Sequence, residues 1–132
     1  MIRLSRSVVG DAERAAIGRV LDSTYLGSGP ETQLFEQELA SWFGDNVSVV
    51  CVNTGTAALQ LALQAAGLGT GDEVLVPSLT YVASFQAISA TGAVPVACEV
   101  READALLDLE DAARRVTSRT RAVMPVHYAS YA

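Results

Sequence analysis

VSVVCVNTGTAALQLALQAAGL, residues 47–68, is the stretch on which the fold turns. Its first six residues form a β-branched apolar run that reads as a strand, and Asn53-Thr54-Gly55-Thr56 then breaks the run with residues suited to a turn and a helix cap. The remainder is apolar nearly all round, interrupted mainly by Gln60 and Gln64 one turn apart, and reads as a heavily buried helix. Strand, short loop and helix in that order open a parallel crossover unit.

Downstream the same alternation recurs. EVLVP (73–77), AVPVACEV (93–100) and RAVMPVHY (121–128) are further strand-like runs, each separated from the last by a helical segment. With residues 47–52 they give four strands, and strands joined through helices run parallel. The runs are continuous rather than alternating, the pattern of strands covered on both faces. The expected class is therefore α/β, with parallel strands alternating with helices.

Upstream the pattern is helical only. Asp11 can cap a helix reaching about Ser23, with Ile17, Val20 and Leu21 as its apolar stripe. YLGSGP (25–30) breaks it, and a second helix starts at Pro30 or Glu31 and runs to Phe43 with Gly44 as its stop. Leu34, Phe35, Leu39 and Trp42 fall on one side of that helix, and Trp42 is read as a packing residue. Residues 1–46 thus form a helical lead-in to the α/β part at 47–132.

Nine basic residues, all arginine, stand against fifteen carboxylates, and the net charge of -6 argues against nucleic acid or an anionic membrane as partner. The N-terminus MIRLSRSVVGD holds no continuous apolar run, and no stretch approaches the roughly 20 apolar residues of a membrane span. Neither a signal peptide nor a span is expected. Half the residues are hydrophobic, unusually many for one small domain, which suggests apolar surface meant to face something else. Cys51 and Cys98 lie in apolar runs without C-x-x-C spacing or a nearby histidine and read as buried free thiols, which fits a reducing cytoplasm. No metal site is expected.

Ligand crevices of parallel sheets lie beyond the carboxyl ends of the strands. There the chain places Asn53 to Thr56, then Ser78-Leu79-Thr80-Tyr81, then Glu99, then His127 and Tyr128. Asn53 or Thr54 can cap the helix, Gly55 lets a ligand approach the backbone, Thr56 adds a hydroxyl, and the helix N-terminus favours an anion. An ordinary capped helix fits the same residues, and the Walker pattern is absent. Tyr81, just past Pro77, is placed at the start of the next helix, where its ring can stack on a planar ligand or simply pack. His127, the only histidine, could be a general base or a structural hydrogen-bonding residue. Glu99 reads equally as a cap for a neighbouring turn. Ser5, Ser7 and Ser84 show no nucleophile elbow, and no G-x-G-x-x-G follows the first strand.

Taken together, Tyr25-Leu26-Gly27-Ser28-Gly29, Phe35 to Ala40 (FEQELA), Asn53 to Leu59 (NTGTAAL), Gly71 to Val74 (GDEV), Pro77 to Ser84 (PSLTYVAS), Gly92 to Val96 (GAVPV), Arg119 to Val123 (RTRAV) and Pro125 to Tyr128 (PVHY) resemble, in order and spacing, the N-terminal part of the DegT-like family of PLP-dependent sugar aminotransferases. The resemblance spans essentially the whole chain. It implies a partial PLP-dependent transferase fold, aspartate aminotransferase-like and of fold type I, with 47–132 as the first part of the large cofactor-binding domain, incomplete at its C-terminus. It implies pyridoxal 5'-phosphate as cofactor, with Gly55 and Thr56 on the phosphate and Tyr81 on the pyridine ring. It implies a nucleotide-linked keto sugar and glutamate as substrates, and a homodimer in which the Gly27 to Pro30 loop lies near the partner's substrate site; a plain flexible loop is the other reading.

In that family a lysine forms the Schiff base and moves the proton, and an aspartate pairs with the pyridine nitrogen, both beyond the Val-His-Tyr stretch. Lysine is absent from all 132 residues, and Ser130 replaces the glycine usual after that stretch. The chain by itself is therefore expected to be inactive, with no catalytic residue of its own. In this fold type the strand before the phosphate loop lies apart from the next three, separated by strands supplied later, so a gap with exposed strand edges is also expected. Two alternatives stand beside this reading: a dehydratase of the same family with histidine in place of the lysine, and a noncatalytic truncated or interaction module. A generic nucleotide-binding domain ranks below both.

Overall fold

The computed structural model describes residues 6–44 and 46–130, and Ser5 lies outside them. Two compact units divide the chain, Met1–Cys51 and Val52–Ala132.

The first unit holds helix α1, Asp11–Asp22, and helix α2, Pro30–Phe43. Gly10, not Asp11, is the N-cap of α1: its N–H donates to Glu13 Oε2 at 2.6 Å, which puts Asp11 inside the first turn where its charge suits the helix dipole. α2 begins at Pro30 and stops at Gly44, whose φ of 115° lies in the range a side chain disfavours. Neither helix buries a residue fully. Trp42 is 77% exposed and touches Phe43 edge-on with ring centroids 4.9 Å apart, so the packing role expected of it is not realised.

The second unit is a sheet between helices. α3 spans Gly55–Ala65, β1 Glu73–Pro77, α4 Ala83–Ala90, β2 Val94–Cys98, α5 Leu109–Arg115 and β3 Thr120–Val123, with a short 3₁₀ turn at Tyr128–Ser130. The strand order is β2-β1-β3, both pairings parallel. β1 is central and wholly buried, and its side chains alternate: Val74 and Val76 join Leu63, Ala87, Ile88 and Ala93 on the α3–α4 face, whereas Leu75 joins Cys98, Leu107 and Ala112 on the α5 face. β2 is an edge strand, which is where Pro95 can be accommodated without losing a ladder bond. Glu73 at the start of β1 accepts from Thr117 Oγ1 and Arg119 Nε and pairs with the Arg119 guanidinium, tying the approach to β3 onto the sheet.

Among the described residues three strands form, not four. Residues 47–52 make no ladder, and Val47 and Val50 stand exposed, because no described strand lies beside them to pair with. Cys51 is instead held through its N–H, which donates to Glu36 Oε1 at 2.7 Å, and its side chain is half-buried where full burial was expected. Likewise α3 buries only Leu63 fully, with Leu61 50% exposed, since just one of its faces is covered. No helix among the described residues is long and apolar enough to cross a membrane.

Candidate functional site

α3 supplies the first wall. Thr54 stands extended at the N-cap, its Oγ1 accepting from Ala57 N at 3.0 Å and its carbonyl from Ala58 N at 3.1 Å. The cap answers Ala57. The N–H groups of Gly55 and Thr56 belong to the first turn and have no intrahelical acceptor, so they and the helix dipole face whatever lies beyond. A Cβ added to Gly55 would meet no heavy atom within 4 Å, so the backbone there is open to close approach.

The second wall follows β1. Ser78 N donates to the Cys98 carbonyl at 2.8 Å, and the chain turns through Leu79 and Thr80 to Tyr81. Helix α4 starts two residues after Tyr81, at Ala83, with Val82 as a cap that has no side-chain hydrogen bond to offer. Ser84 N donates to the Tyr81 carbonyl at 3.1 Å, while the Thr80 and Ser84 hydroxyls stand 2.8 Å apart. Tyr81 is 79% exposed. The third wall is the stretch after β3, where Met124 N still donates to the Leu75 carbonyl at 2.8 Å before Pro125 removes the next donor.

These walls enclose a cleft of about 780 Å³ onto which Gly55, Thr56, Thr80, Tyr81 and Ser84 face. Gly55, Thr56 and Tyr81, chosen from sequence on two separate loops, are thereby brought together. Glu99 and His127 do not line it. Glu99 is engaged through its backbone, its N–H donating to Asp111 Oδ2 and its carbonyl accepting from Asp108 N. Asp111 is held to about 2 by the Arg115 guanidinium and the Glu99 N–H, a structural ion cluster on the far side of β2. Sequence reasoning put Thr80 at the crevice without a role and considered Ser84 only as a nucleophile; it missed their pairing, for which the i, i+4 spacing across a helix start was the available signal.

The lining suits a ligand with an anionic group and a flat ring. Its side chains are uncharged, so an anion would be met by N–H groups, a hydroxyl and the helix dipole, and the rest of the surface is largely apolar. Among the described residues no three His, Cys, Asp or Glu side chains converge as metal ligands would. In the first unit, Gly29 is buried beneath the Tyr25 ring, where a Cβ would come within 2.8 Å of Cδ1. That contact gives the Gly27 to Pro30 loop a definite local packing.

A model of the DegT/DnrJ/EryC1/StrS aminotransferase family matches residues 8–131. The dTDP-4-dehydro-2,3,6-trideoxy-D-glucose 4-aminotransferase of Saccharopolyspora spinosa is 43% identical over 129 residues, 97% of this chain and 34% of that protein. The dTDP-3-amino-3,4,6-trideoxy-alpha-D-glucose transaminase of Streptomyces venezuelae is 51% identical over 113 residues, 86% of this chain and 30% of that protein. The chain spans about a third of the length of these curated relatives. Spr1654 of Streptococcus pneumoniae, assigned as a sugar aminotransferase and solved in PMP and PLP forms, superposes with a TM-score of 0.90 at 33% identity over 99% of this chain and 33% of its own.

Proposed function

The chain belongs to the DegT/DnrJ/EryC1/StrS aminotransferase family, and from that premise we propose that it is the N-terminal, cofactor-binding portion of a PLP-dependent aminotransferase acting on a nucleotide-linked keto sugar. Its α/β architecture is a partial PLP-dependent aminotransferase fold. The observation that carries the reading is the convergence of Gly55, Thr56 and Tyr81 on one cleft.

In this reading Gly55 and Thr56 bind the cofactor phosphate through their N–H groups and the Thr56 hydroxyl. Thr54 holds the helix end in place for them, and the α3 dipole stabilises the dianion. Tyr81 covers one face of the pyridine ring, excluding water from it. Pyridoxal phosphate, when bound, supplies an electron sink for amino-group transfer. Lysine, the residue that would form the Schiff base and move the proton, is absent from these residues, so they turn over no substrate alone. The substrate class follows the two curated relatives, both named for dTDP-linked sugars. Glutamate as amino donor, a homodimer and a cytoplasmic setting complete the proposal, the last fitting two free thiols.

The test is a titration of the protein expressed from its whole reading frame with pyridoxal phosphate, followed by visible absorbance. Saturable binding with a shifted cofactor band is expected. Absence of binding overturns the reading.

A further inference from the structure

Tyr81 offers its ring to the cleft with little to hold it. The side chain is 79% exposed, it takes part in no ring contact with another described aromatic residue, and the cap beside it, Val82, has no side-chain hydrogen bond. Such a ring keeps its direction only if the backbone beneath it is fixed. The residues that fix it are its neighbours on either side.

Thr80 and Ser84 bracket Tyr81 and join hydroxyl to hydroxyl at 2.8 Å, closing a five-residue loop over the start of α4. Ser84 is 6% exposed, so its hydroxyl has little access to water and depends on this partner. The same residue donates its N–H to the Tyr81 carbonyl at 3.1 Å, and Thr80 Oγ1 approaches that carbonyl at 3.4 Å. Two polar contacts thus converge on the Tyr81 carbonyl, and the hydroxyl pair links the two residues that make them. The cleft has no charged side chain that could do this instead.

We propose that the Thr80–Ser84 hydroxyl pair is a positioning clasp that sets the Tyr81 ring across the cleft, ready to cover a flat ligand. The clasp rests on the assignment of Tyr81 to the cofactor ring. Without it the segment 80–82 samples several conformations, and part of the stacking contact is given back as ordering entropy on binding. Thr80 and Ser84 act through Tyr81.

The experiment is a double-mutant cycle on pyridoxal phosphate binding, in the protein expressed from its whole reading frame, with the visible circular dichroism of the bound cofactor as second readout. Thr80→Val keeps the shape and removes the hydroxyl. It should raise Kd about three- to tenfold, the worth of one hydrogen bond, and diminish the dichroic band. Thr80→Ser, which keeps the hydroxyl, should restore both. In a Tyr81→Ala background Thr80→Val should change neither, because there is no ring left to position. Amide exchange at Ser84 in cofactor-free protein should quicken in Thr80→Val. If Tyr81→Ala weakens binding while Thr80→Val leaves Kd, dichroism and exchange unchanged, the clasp is wrong and the Tyr81 assignment stands. If Tyr81→Ala itself changes nothing, the assignment fails and the clasp falls with it. Equal effects of Thr80→Val with and without the Tyr81 ring would make the pair a general stabiliser and overturn the proposal.

Discussion

Gly55 has no side chain, yet the protein's own packing does not require that, since a Cβ built there meets nothing within 4 Å. A ligand phosphate resting on its N–H would require it. The two demands can be separated by Gly55→Ala: stability should hold or rise by less than about 1 kcal/mol, because alanine narrows the unfolded ensemble, while affinity for pyridoxal phosphate falls. Thr56→Ala should weaken the same affinity by roughly 1 kcal/mol or more, the loss of a hydrogen bond to a charged group. Thermal unfolding and cofactor titration on the same samples check both; unchanged affinity in either variant removes that residue from the site. These positions were legible in the sequence because a cap, a glycine and a hydroxyl in consecutive places state a local geometry. The Thr80–Ser84 contact was not legible, since it depends on how the chain turns between Pro77 and Ala83.

At the scale of elements, β1 shows what continuous apolar runs could reveal and what they could not. EVLVP became a buried strand as read, and the structure makes it central, with two neighbours paired to it in parallel. VSVVCV, with equal strand character, makes no ladder, because propensity supplies only a preference and the hydrogen bonds must come from a neighbouring strand. The ion clusters that pin strands to helices were likewise invisible, being long-range in part. Asp111 joins α5 to the end of β2 by accepting from Glu99 N, while Arg114 and Arg115 of the same helix pair with its carboxylate. Its carboxyl lies below the ordinary 3.8, at about 2, chiefly through the Arg115 hydrogen bond. Glu73 is lowered too, by Thr117 first and Arg119 next. A folded value below the unfolded one means that folding favours the ionised form. The stabilisation is therefore whole above the unfolded carboxyl range and is lost as pH falls through the folded value. Denaturant unfolding midpoints should be flat from neutral pH down to about 5 and decline from about 4 toward 2. Asp111→Asn should lower the midpoint at neutral pH and flatten that decline; a decline as steep as the parent's would rule out Asp111 as one of its sources.

For the whole molecule, the balance is in its surface. Much of it is apolar in each unit: Ile17, Leu21, Leu26, Leu34, Phe35, Trp42 and Phe43 in the first are each more than half exposed, and Leu61, Tyr81 and Val82 are at least half exposed in the second. Scattered exposed leucines are ordinary, but helices with no buried residue have little tertiary packing to stabilise them. The high hydrophobic content read from composition thus has a counterpart in apolar side chains exposed in each unit. Trp42, the sole tryptophan, reports on that condition directly. In dilute solution the 132-residue chain should emit as a water-exposed indole, fully open to a collisional quencher. As concentration rises, light scattering should show association while the emission shifts to the blue and quenching falls. A monodisperse monomer with a shielded Trp42 would mean that the chain covers its own apolar faces and that they need no partner surface.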